Sequence, residues 1–378
     1  MEFMVNKNCL HQALSAVGHA ISTKTTPSIL TGIKIVANVD GLILLGSNSD
    51  IIIEKTIPVT LGGERVLEVY DKGSVVLPAK YLSDIIQKLS DDIHVKLNAN
   101  HSVTIKSAEI VTDLNGFNST EYPDLPFIDD SAFIEVHSEG LQEIIKQTAF
   151  AVSKSESRPA LAGVNMTFKE NLLCCVATNS HRLASSELAL ETKITGSFIV
   201  PSKSLNELTK LMNDEAGVVH IFVSKSYVGF KSSHISLFTR LIEGSFPNVL
   251  EMLPRDSKTT VIMDTNKLLK GVDRACLFAR DCRNNNVHLD LLEGNKLQIS
   301  SNLTERGKIK EIQTINGIKG VAEVNVSLDG YFLLDALKVI KEKEVKLSFG
   351  GAMKPVLIEP VDGSSQLHFI SPVRSPSA

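Results

Sequence analysis

LLGSN at residues 44–48 recurs as CVATN at residues 175–179 and as QISSN at residues 298–302. The final asparagines, Asn48, Asn179 and Asn302, are offset by 131 and then by 123. Upstream, ILTGI at residues 29–33 recurs as ALAGV at residues 160–164, again with an offset of 131. Because two separate stretches share the offset of 131 and one of them occurs a third time, the sequence indicates one structural unit that is repeated three times. Each LLGSN-type stretch is predicted to end a buried strand at a polar turn.

Helical periodicity opens each copy. The first leucines of the three apolar stripes, Leu10, Leu141 and Leu268, are offset by 131 and then by 127. Residues three and four positions apart share one face of a helix. The predicted stripes are Leu10, Leu14, Val17 and Ile21; Leu141, Ile145, Thr148 and Val152; and Leu268, Val272, Cys276 and Ala279.

A β-rich run leads into a second helix in each copy. Pro78 and Pro201 are predicted in the first turn of two of these helices, where proline loses no needed hydrogen bond. Ser327 or Asp329 is predicted to cap the third helix. Each copy thus combines two helices with antiparallel sheet, which is an α+β unit. The predicted domains are residues 1–127, 128–252 and 253–378.

The composition is that of a folded globular protein. Of 378 residues, 43% are hydrophobic and 22% charged, as expected for two or three ordinary domains. The net charge of −4 argues against coating nucleic acid by bulk attraction but allows a local basic surface. Since no targeting segment and no run of about 20 apolar residues is evident, a cytoplasmic protein without a membrane partner is predicted. The cysteines are predicted to be reduced packing residues: Cys9, Cys174, Cys175, Cys276 and Cys282.

Sequence motifs for catalysis, metals and cofactors are missing. No phosphate-cradling loop and no histidine or cysteine cluster at metal-ligand spacing occurs, so neither a metal nor a cofactor is predicted. The densest polar cluster is TNSHRL at residues 178–183. Ser180 and His181 are adjacent on an extended segment and point to opposite faces, which favours a hydrogen-bonded turn over a catalytic pair. A β-rich hydrolase using this turn, or the acidic pairs at residues 91–92 and 129–130, is the alternative of a different class.

Basic side chains are concentrated on two helical segments. Residues 6–24 contain four potential bases and no acid, namely Lys7, His11, His19 and Lys24. Residues 264–283 contain five bases against three acids, the bases being Lys267, Lys270, Arg274, Arg280 and Arg283. Aromatic residues make up 5% of the chain and Trp is absent, so base stacking is not expected. Any nucleic acid would be held through its phosphates rather than read by sequence.

Three consecutive α+β copies, with TNSHRL at residues 178–183 and PVR at residues 372–374, resemble the beta subunit family of bacterial DNA polymerase III. The resemblance covers essentially the whole chain. It implies a non-enzymatic sliding clamp: a head-to-tail homodimer that closes six domains into a ring around double-stranded DNA and holds the DNA by topology, independent of its sequence. Such clamps tether the DNA polymerase III alpha or PolC-type subunit, the clamp loader and repair proteins through short linear peptides.

The resemblance also assigns roles to residues of this sequence. A hydrophobic pocket for partner peptides would consist of Leu161, Thr178, His181, Arg182, Leu183, Pro247, Met252, Ile370, Pro372, Val373 and Arg374. Lys24 and Arg158 would contact DNA phosphates. Ring closure would place Leu114 of one subunit against Leu277 and Phe278 of the other.

Several positions depart from the family's pattern. Asn179 stands where an aspartate is usual, Ser371 where a large apolar pocket residue is usual, and Thr112 where an interface aromatic is common. Residues 375–378 alter the tail. Two related functions remain as alternatives: a repeat scaffold that binds proteins but not DNA, and a secondary, paralogous clamp with an altered partner pocket.

Overall fold

The structure is a computed structural model of the chain. It describes residues 1–21, 28–126, 132–155, 157–192, 194–213, 217–249, 251, 257–279, 285–304, 307–320, 324–361, 363 and 365–373. Contacts divide the chain into two compact units, Met1–Ser138 with Glu207–Leu241 (unit 1) and Glu139–Asn206 with Ile242–Ala378 (unit 2). The predicted domain boundaries after residues 127 and 252 lie outside the described residues and stay a prediction.

The helices and strands recur in the order that the repeat predicts. The first copy contains β1 (Glu2–Val5), α1 (Lys7–Gly18), β2 (Gly32–Asn38), β3 (Gly41–Ser47), β4 (Ile51–Pro58), β5 (Thr60–Leu61), β6 (Glu64–Arg65), β7 (Leu67–Asp71), β8 (Gly73–Pro78), α2 (Ala79–Lys88), β9 (Ile93–Leu97), β10 (Ser102–Ser107) and β11 (Ile110–Asn115). The second contains β12 (Ile134–His137), α3 (Ser138–Thr148), β13 (Gly163–Lys169), β14 (Leu172–Thr178), β15 (Arg182–Ala189), β16 (Gly196–Pro201), α4 (Ser202–Met212), β17 (Val218–Val223), β18 (Tyr227–Lys231) and β19 (Ile235–Arg240). The third contains β20 (Thr259–Asp264), α5 (Thr265–Ala279), β21 (Asn286–Leu292), β22 (Lys296–Thr304), β23 (Gly307–Thr314), β24 (Gly317–Gly320), β25 (Asn325–Asp329), α6 (Gly330–Lys338), β26 (Glu344–Phe349), β27 (Val356–Pro360) and β28 (Leu367–Ile370). Within the described ranges, no helix is long and apolar enough to cross a membrane.

The first helix of each copy is close to its prediction. Asn6 caps α1 because its side-chain oxygen accepts hydrogen bonds from the amides of Asn8 at 3.0 Å and Cys9 at 3.3 Å. The buried face of α1 contains Leu10, Ala13, Leu14 and Val17. The third stripe is confirmed in full, since α5 buries Leu268, Val272, Cys276 and Ala279. Ile21 and Val152 were predicted on these stripes but lie beyond the ends of α1 and α3.

The prediction that proline occupies the first helical turn is wrong by one residue. Pro78 ends β8, where it is still paired with Gly32, and α2 begins at the next residue. Pro201 ends β16 in the same way, paired with Gly163. Both prolines are still paired within a β-sheet, so the first turn of each helix begins after them. In the third copy Asp329 is the cap, accepting from the amides of Tyr331 at 2.9 Å and Phe332 at 3.3 Å.

The repeated glycine of ILTGI and ALAGV is required by close packing. A Cβ atom on Gly32 would lie 2.6 Å from Val76 Cγ1 and 3.0 Å from the Leu77 carbonyl oxygen. On Gly163 it would lie 2.6 Å from Ile199 Cγ2 and 2.7 Å from the carbonyl oxygen of Val200. Each glycine therefore lets one strand approach the strand that leads into the second helix.

Unit 1 contains two large antiparallel sheets. Its eight-stranded sheet has the order β12-β17-β18-β19-β4-β3-β2-β8, and its five-stranded sheet the order β11-β10-β9-β1-β7. Helix α1 packs on β3 and β4 and against α2. A short hairpin, β5 with β6, completes the described strands of this unit.

Unit 2 has the corresponding architecture. Its nine-stranded sheet has the order β16-β13-β14-β15-β28-β27-β26-β20-β24, and its four-stranded sheet the order β23-β22-β21-β25. Helices α5 and α6 pack against each other, and α5 also packs on β21, β22 and β23. One apolar core continues from α5 through both sheets to Ile370 at the end of β28.

Strands of successive copies pair directly with each other. β4 of the first copy pairs with β19 of the second, from Ile51 opposite Thr239 to Lys55 opposite Ile235. β15 of the second copy pairs with β28 of the third, from Arg182 opposite Ile370 to Ser185 opposite Leu367. The copies are therefore joined through the backbone of continuous sheets and not only by linkers.

The polar turn predicted after QISSN in the third copy is wrong. β22 continues through Asn302 to Thr304, and its pairing with β23 shifts register between Ser301 and Thr304. The repeated stretch ends its strand only in the first two copies. An irregularity of this kind adds chain to a strand without ending it, and the repeat alone did not predict it.

Candidate partner-binding site

The TNSHRL cluster forms the hydrogen-bonded turn that the sequence predicts. The Asn179 side-chain oxygen accepts from the amides of His181 at 3.0 Å and Arg182 at 2.9 Å. The Thr178 hydroxyl donates to the Arg182 carbonyl oxygen at 2.6 Å and accepts from the Ser180 amide at 3.1 Å. An aspartate at position 179 would accept the same two bonds, so the departure to asparagine preserves the turn.

Ser180 and His181 have different surroundings. Ser180 adopts the left-handed backbone conformation, with φ of 76°. Its hydroxyl accepts a hydrogen bond from Nη1 of Arg158 at 3.3 Å. The His181 side chain is exposed. The contact with Arg158 ties the turn to the 3₁₀ segment Pro159–Ala162, which carries Leu161.

Pairing of β15 with β28 brings distant pocket residues together. Arg182 faces Ile370 in the ladder, and beyond the ladder the Ser371 amide donates to the His181 carbonyl oxygen at 2.8 Å. Two residues later the Val373 amide donates to the Ser327 carbonyl oxygen at 2.8 Å. The chain after β28 is thus held beside the turn before β15, although His181 and Ser371 belong to different copies and lie far apart in the sequence.

The predicted pocket residues divide by exposure into a buried group and a more exposed group. Nearly fully buried are Leu161, Thr178, Leu183 and Ile370. His181 and Pro247 are exposed, and Pro372 and Val373 are half-buried. Pro247 lines a groove of about 410 Å³ with residues that include Val176 and Phe246, and none of the other described pocket residues lines that groove. Met252 and Arg374 lie outside the described residues.

Arg182 is held within the protein rather than at its surface. The side chain is 7% exposed. Its Nη1 donates to Asp335 Oδ2 at 2.7 Å, and its Nη2 donates to the Phe150 carbonyl oxygen. The guanidinium carbon lies 4.5 Å from the ring centroid of Phe332 and 5.2 Å from that of Phe150. Arg182 therefore supports the site from beneath, through a carboxylate and two aromatic faces that sequence reasoning did not connect with it.

His368 on β28 is a second buried polar residue next to Arg182. Its side chain is 1% exposed, and its ring centroid lies 5.7 Å from that of Phe150. Burial, with a smaller contribution from the positive charge of Arg182, lowers the pKa of His368 to about 3. The imidazole is consequently neutral at physiological pH. No sequence motif marked this residue, because its burial depends on the pairing of β28 between β15 and β27.

The basic segments are partly neutralised by acids from other elements. His19 Nδ1 lies 3.0 Å from Glu207 Oε2, so the first segment, which has no acid of its own, receives one from α4. Arg274 binds Glu311 through two bonds of 2.8 and 2.7 Å, which lower the pKa of the Glu311 carboxyl. Arg158 is exposed. Lys24, Arg280 and Arg283 lie outside the described residues.

The predicted ring-closing residues lie on two sheet edges or next to them. Leu114 is half-buried on β11, the edge of the five-stranded sheet, with Thr112 on the same strand. Leu277 on α5 is 62% exposed. Phe278 is half-buried, and its ring lies close to Gly307 at the start of β23, the edge of the four-stranded sheet.

In the part of the chain that the structure describes, no group of three or more His, Cys, Asp or Glu side chains could hold a metal ion. Cys9, Cys174, Cys175 and Cys276 form no disulfide bond. Asp91 and Asp92, one of the acidic pairs of the alternative hydrolase hypothesis, are exposed. Cys282 and the acidic pair at residues 129–130 fall outside the described ranges.

Comparison with known proteins accounts for the whole chain. Models of the DNA polymerase III beta subunit match in series: the N-terminal domain at residues 1–126, the central domain at 135–248 and the C-terminal domain at 250–374. The chain is 39% identical to the beta sliding clamp of Bacillus subtilis over 99% of its own length and 100% of that protein.

Solved structures show the same relationship. The crystal structure of the DNA polymerase sliding clamp from Bacillus subtilis has a TM-score of 0.96 at 39% identity, covering 99% of both chains. That of the DNA polymerase III beta chain from Streptococcus pneumoniae has a TM-score of 0.94 at 31% identity, covering 99% of this chain and 100% of the other. The fold is three tandem clamp domains in which helices pack on antiparallel sheets. The chain belongs to the DNA polymerase III beta subunit family.

We predict that His368 makes the stability of the protein depend on pH. On unfolding, the imidazole regains its ordinary pKa of 6.5, whereas in the folded state the pKa is about 3. Between these values the unfolded state binds more protons, so His368 contributes stability above pH 6.5 that is lost as the pH falls. From about pH 7 to pH 5 this loss is about 2 kcal/mol. Urea unfolding of the native protein and of His368→Leu at both pH values measures it. The native protein should lose more stability than the variant, and an equal loss in both would contradict the assignment.

Proposed function

We propose that the chain is a DNA sliding clamp, a processivity factor that encircles duplex DNA and tethers the replicative DNA polymerase and other clamp-binding proteins. The observation that carries the proposal is the match of three clamp domains in series along the whole chain. The protein acts as an accessory subunit without a catalytic site of its own and works in the cytoplasm, where bacterial DNA is replicated. Two copies join head to tail into a closed ring.

The two sheet edges support the ring. A heterologous interface closes when different surfaces of identical subunits meet, and edge strands offer unpaired backbone groups for such a contact. β11 and β23 are edges of their sheets. Leu114 on β11 and the exposed Leu277 next to β23 supply apolar contact. Exposed Asp113 on β11 faces solvent, as do Lys308 and Lys310 on β23, so the edges are complementary in charge.

DNA is held in this proposal by topology and weak phosphate contacts. Exposed Arg158 and the basic residues of the helical segments supply positive charge without base-specific contacts. The paired side chains His19 and Arg274 contribute less than the sequence predicted, because their acids offset them. Loose, sequence-independent contact is what sliding requires.

The partner site takes an extended peptide in this proposal. Its floor of buried Leu161, Leu183 and Ile370 suits apolar side chains, while exposed His181 lies at the rim. Ser371 is smaller than the residue usual at its position in the family, so the pocket wall there is lower. Arg182 is committed to Asp335 and positions the floor.

We predict that the clamp, once loaded on a nicked circular plasmid by its clamp loader, stays bound through a high-salt wash. Salt screens phosphate contacts but does not open a ring. Cutting the plasmid at one site should release the protein, and blocking both new ends with bound streptavidin should restore retention. Gel filtration of the DNA with its bound protein measures each state. Equal retention on open linear and circular DNA would exclude topological binding, and failure to bind either would favour the scaffold that does not bind DNA.

We predict that His181→Ala weakens binding of the replicative polymerase from the same bacterium by about tenfold, or ~1.4 kcal/mol. Truncation before Pro372 should weaken it further because it removes the half-buried Pro372 and Val373 from the rim. His137→Ala is the matched control, since this histidine is also exposed but lies on β12. Surface plasmon resonance measures the affinities. If His181→Ala and the truncation bind as tightly as His137→Ala, these residues do not form the partner site.

A further inference from the structure

The junction of the first two copies repeats the asparagine turn and the strand-end backbone bonds of the proposed partner site, although the Ser47 hydroxyl donates to the Asn48 carbonyl oxygen and not across the turn as Thr178 does. The Asn48 side-chain oxygen accepts from the amides of Asp50 at 2.8 Å and Ile51 at 2.9 Å, as Asn179 does at the matching turn of the second copy. The Arg240 amide donates to the Asp50 carbonyl oxygen at 3.1 Å. That bond corresponds to the one between Ser371 and His181 at 2.8 Å.

The chain that follows each junction strand is also held in the same way. The Ile242 amide donates to the Ile199 carbonyl oxygen at 2.9 Å, and the Val373 amide donates to that of Ser327 at 2.8 Å. Both acceptors lie two residues before the end of the strand that leads into a second helix, at Pro201 and Asp329. β19 therefore occupies beside β4 the position that β28 occupies beside β15.

A groove of about 550 Å³ lies at this first junction, within unit 1. Leu30 and Ile52 line it, at the positions that correspond to Leu161 and Leu183 of the partner site. Its remaining apolar lining comes from Pro123, Pro126 and Tyr227. A volume of this size is typical of grooves that hold a few side chains of a ligand.

The rim of this groove differs in charge from that of the partner site. Asp50 occupies the position of His181, and Asp124 follows Pro123 as Asn248 follows Pro247. Both carboxylates are exposed, and neither has an ion-pair partner among the described residues. Lys225 is the basic side chain of the lining. Arg240 adds a second base next to the lining, since its guanidinium carbon lies 5.7 Å from the Tyr227 ring centroid. The charges around the groove therefore balance, but the two exposed carboxylates favour a basic group of a ligand beside them.

We propose that this junction groove is a second peptide site, which takes a short extended segment with apolar side chains flanked by lysine or arginine. The apolar side chains would lie on Leu30, Ile52 and Tyr227, and a flanking base would face Asp50 and Asp124. The inference rests on the proposed function in one respect, that the matching junction captures peptides. The replacement of His181 by Asp50 at the matching rim position gives the two sites different specificities within one chain.

A single introduced tryptophan can report on this groove, because the chain contains no Trp. In Tyr227→Trp, titration with the peptide acetyl-Arg-Leu-Leu-Phe-Arg amide should give a saturable change in indole fluorescence. The expected Kd is about 10–100 µM, as befits a short flexible ligand. Adding Asp50→Lys and Asp124→Lys should raise the Kd at least about tenfold. Asp50→Glu with Asp124→Glu should preserve it, and His181→Ala should leave the signal at position 227 unchanged.

The outcomes separate this proposal from the proposed function. Absence of a saturable change at millimolar peptide would overturn the groove, as would a change insensitive to charge reversal or one abolished by His181→Ala. Retention of the Asp50→Lys, Asp124→Lys protein on nicked circular DNA, with loss of the fluorescence response, would support both. A response at position 227 in a chain that fails the circular-DNA test would support the groove and overturn the clamp function alone.

Discussion

Antiparallel pairing between strands of successive copies is the interaction on which the rest of the structure depends. β4 pairs with β19 and β15 with β28, so the two largest sheets each combine strands of two copies. A copy on its own would leave these strands as unpaired edges, which proteins avoid. The register also fixes the partner site, since a slip of one residue would turn the side chains of β28 to the opposite face.

Arg182 begins β15 and is buried where that strand pairs with β28, so its positive charge must be compensated inside the protein. A buried guanidinium needs compensation for its charge, and here Asp335, a carbonyl oxygen and two aromatic rings supply it, while Nε of Arg182 is buried without a hydrogen-bond partner among the described residues. Burial of its own imidazole, with a smaller contribution from the charge of Arg182, lowers the pKa of His368 and keeps it neutral. Both buried polar side chains, Arg182 and His368, therefore lie beneath the strand pairing of β15 with β28.

The sequence predicted those parts of the fold that depend on local periodicity. The offset shared by the first two copies anticipated the matching turns at Asn48 and Asn179, and the α5 stripe is buried as predicted. It could not predict contacts between side chains far apart in the chain, such as Arg182 with Asp335, or Glu207 reaching His19 from another helix. Local propensity placed Pro78 and Pro201 in the first turn of a helix. Both instead end a strand, because the strand pairing extends through them. The similarity of QISSN to the matching stretches of the first two copies predicted a turn after Asn302, whereas β22 continues past this residue.

The threefold repeat of the domain is relevant to assembly if two chains close a ring. The two junctions share their strand pairing and their asparagine turn, and they differ where Asp50 of the first corresponds to His181 of the second. Sedimentation equilibrium of the full chain at micromolar concentration tests the ring most directly. The proposed head-to-tail dimer has a mass twice that of the 41.1 kDa chain. A monomer that persists throughout the micromolar range would contradict it.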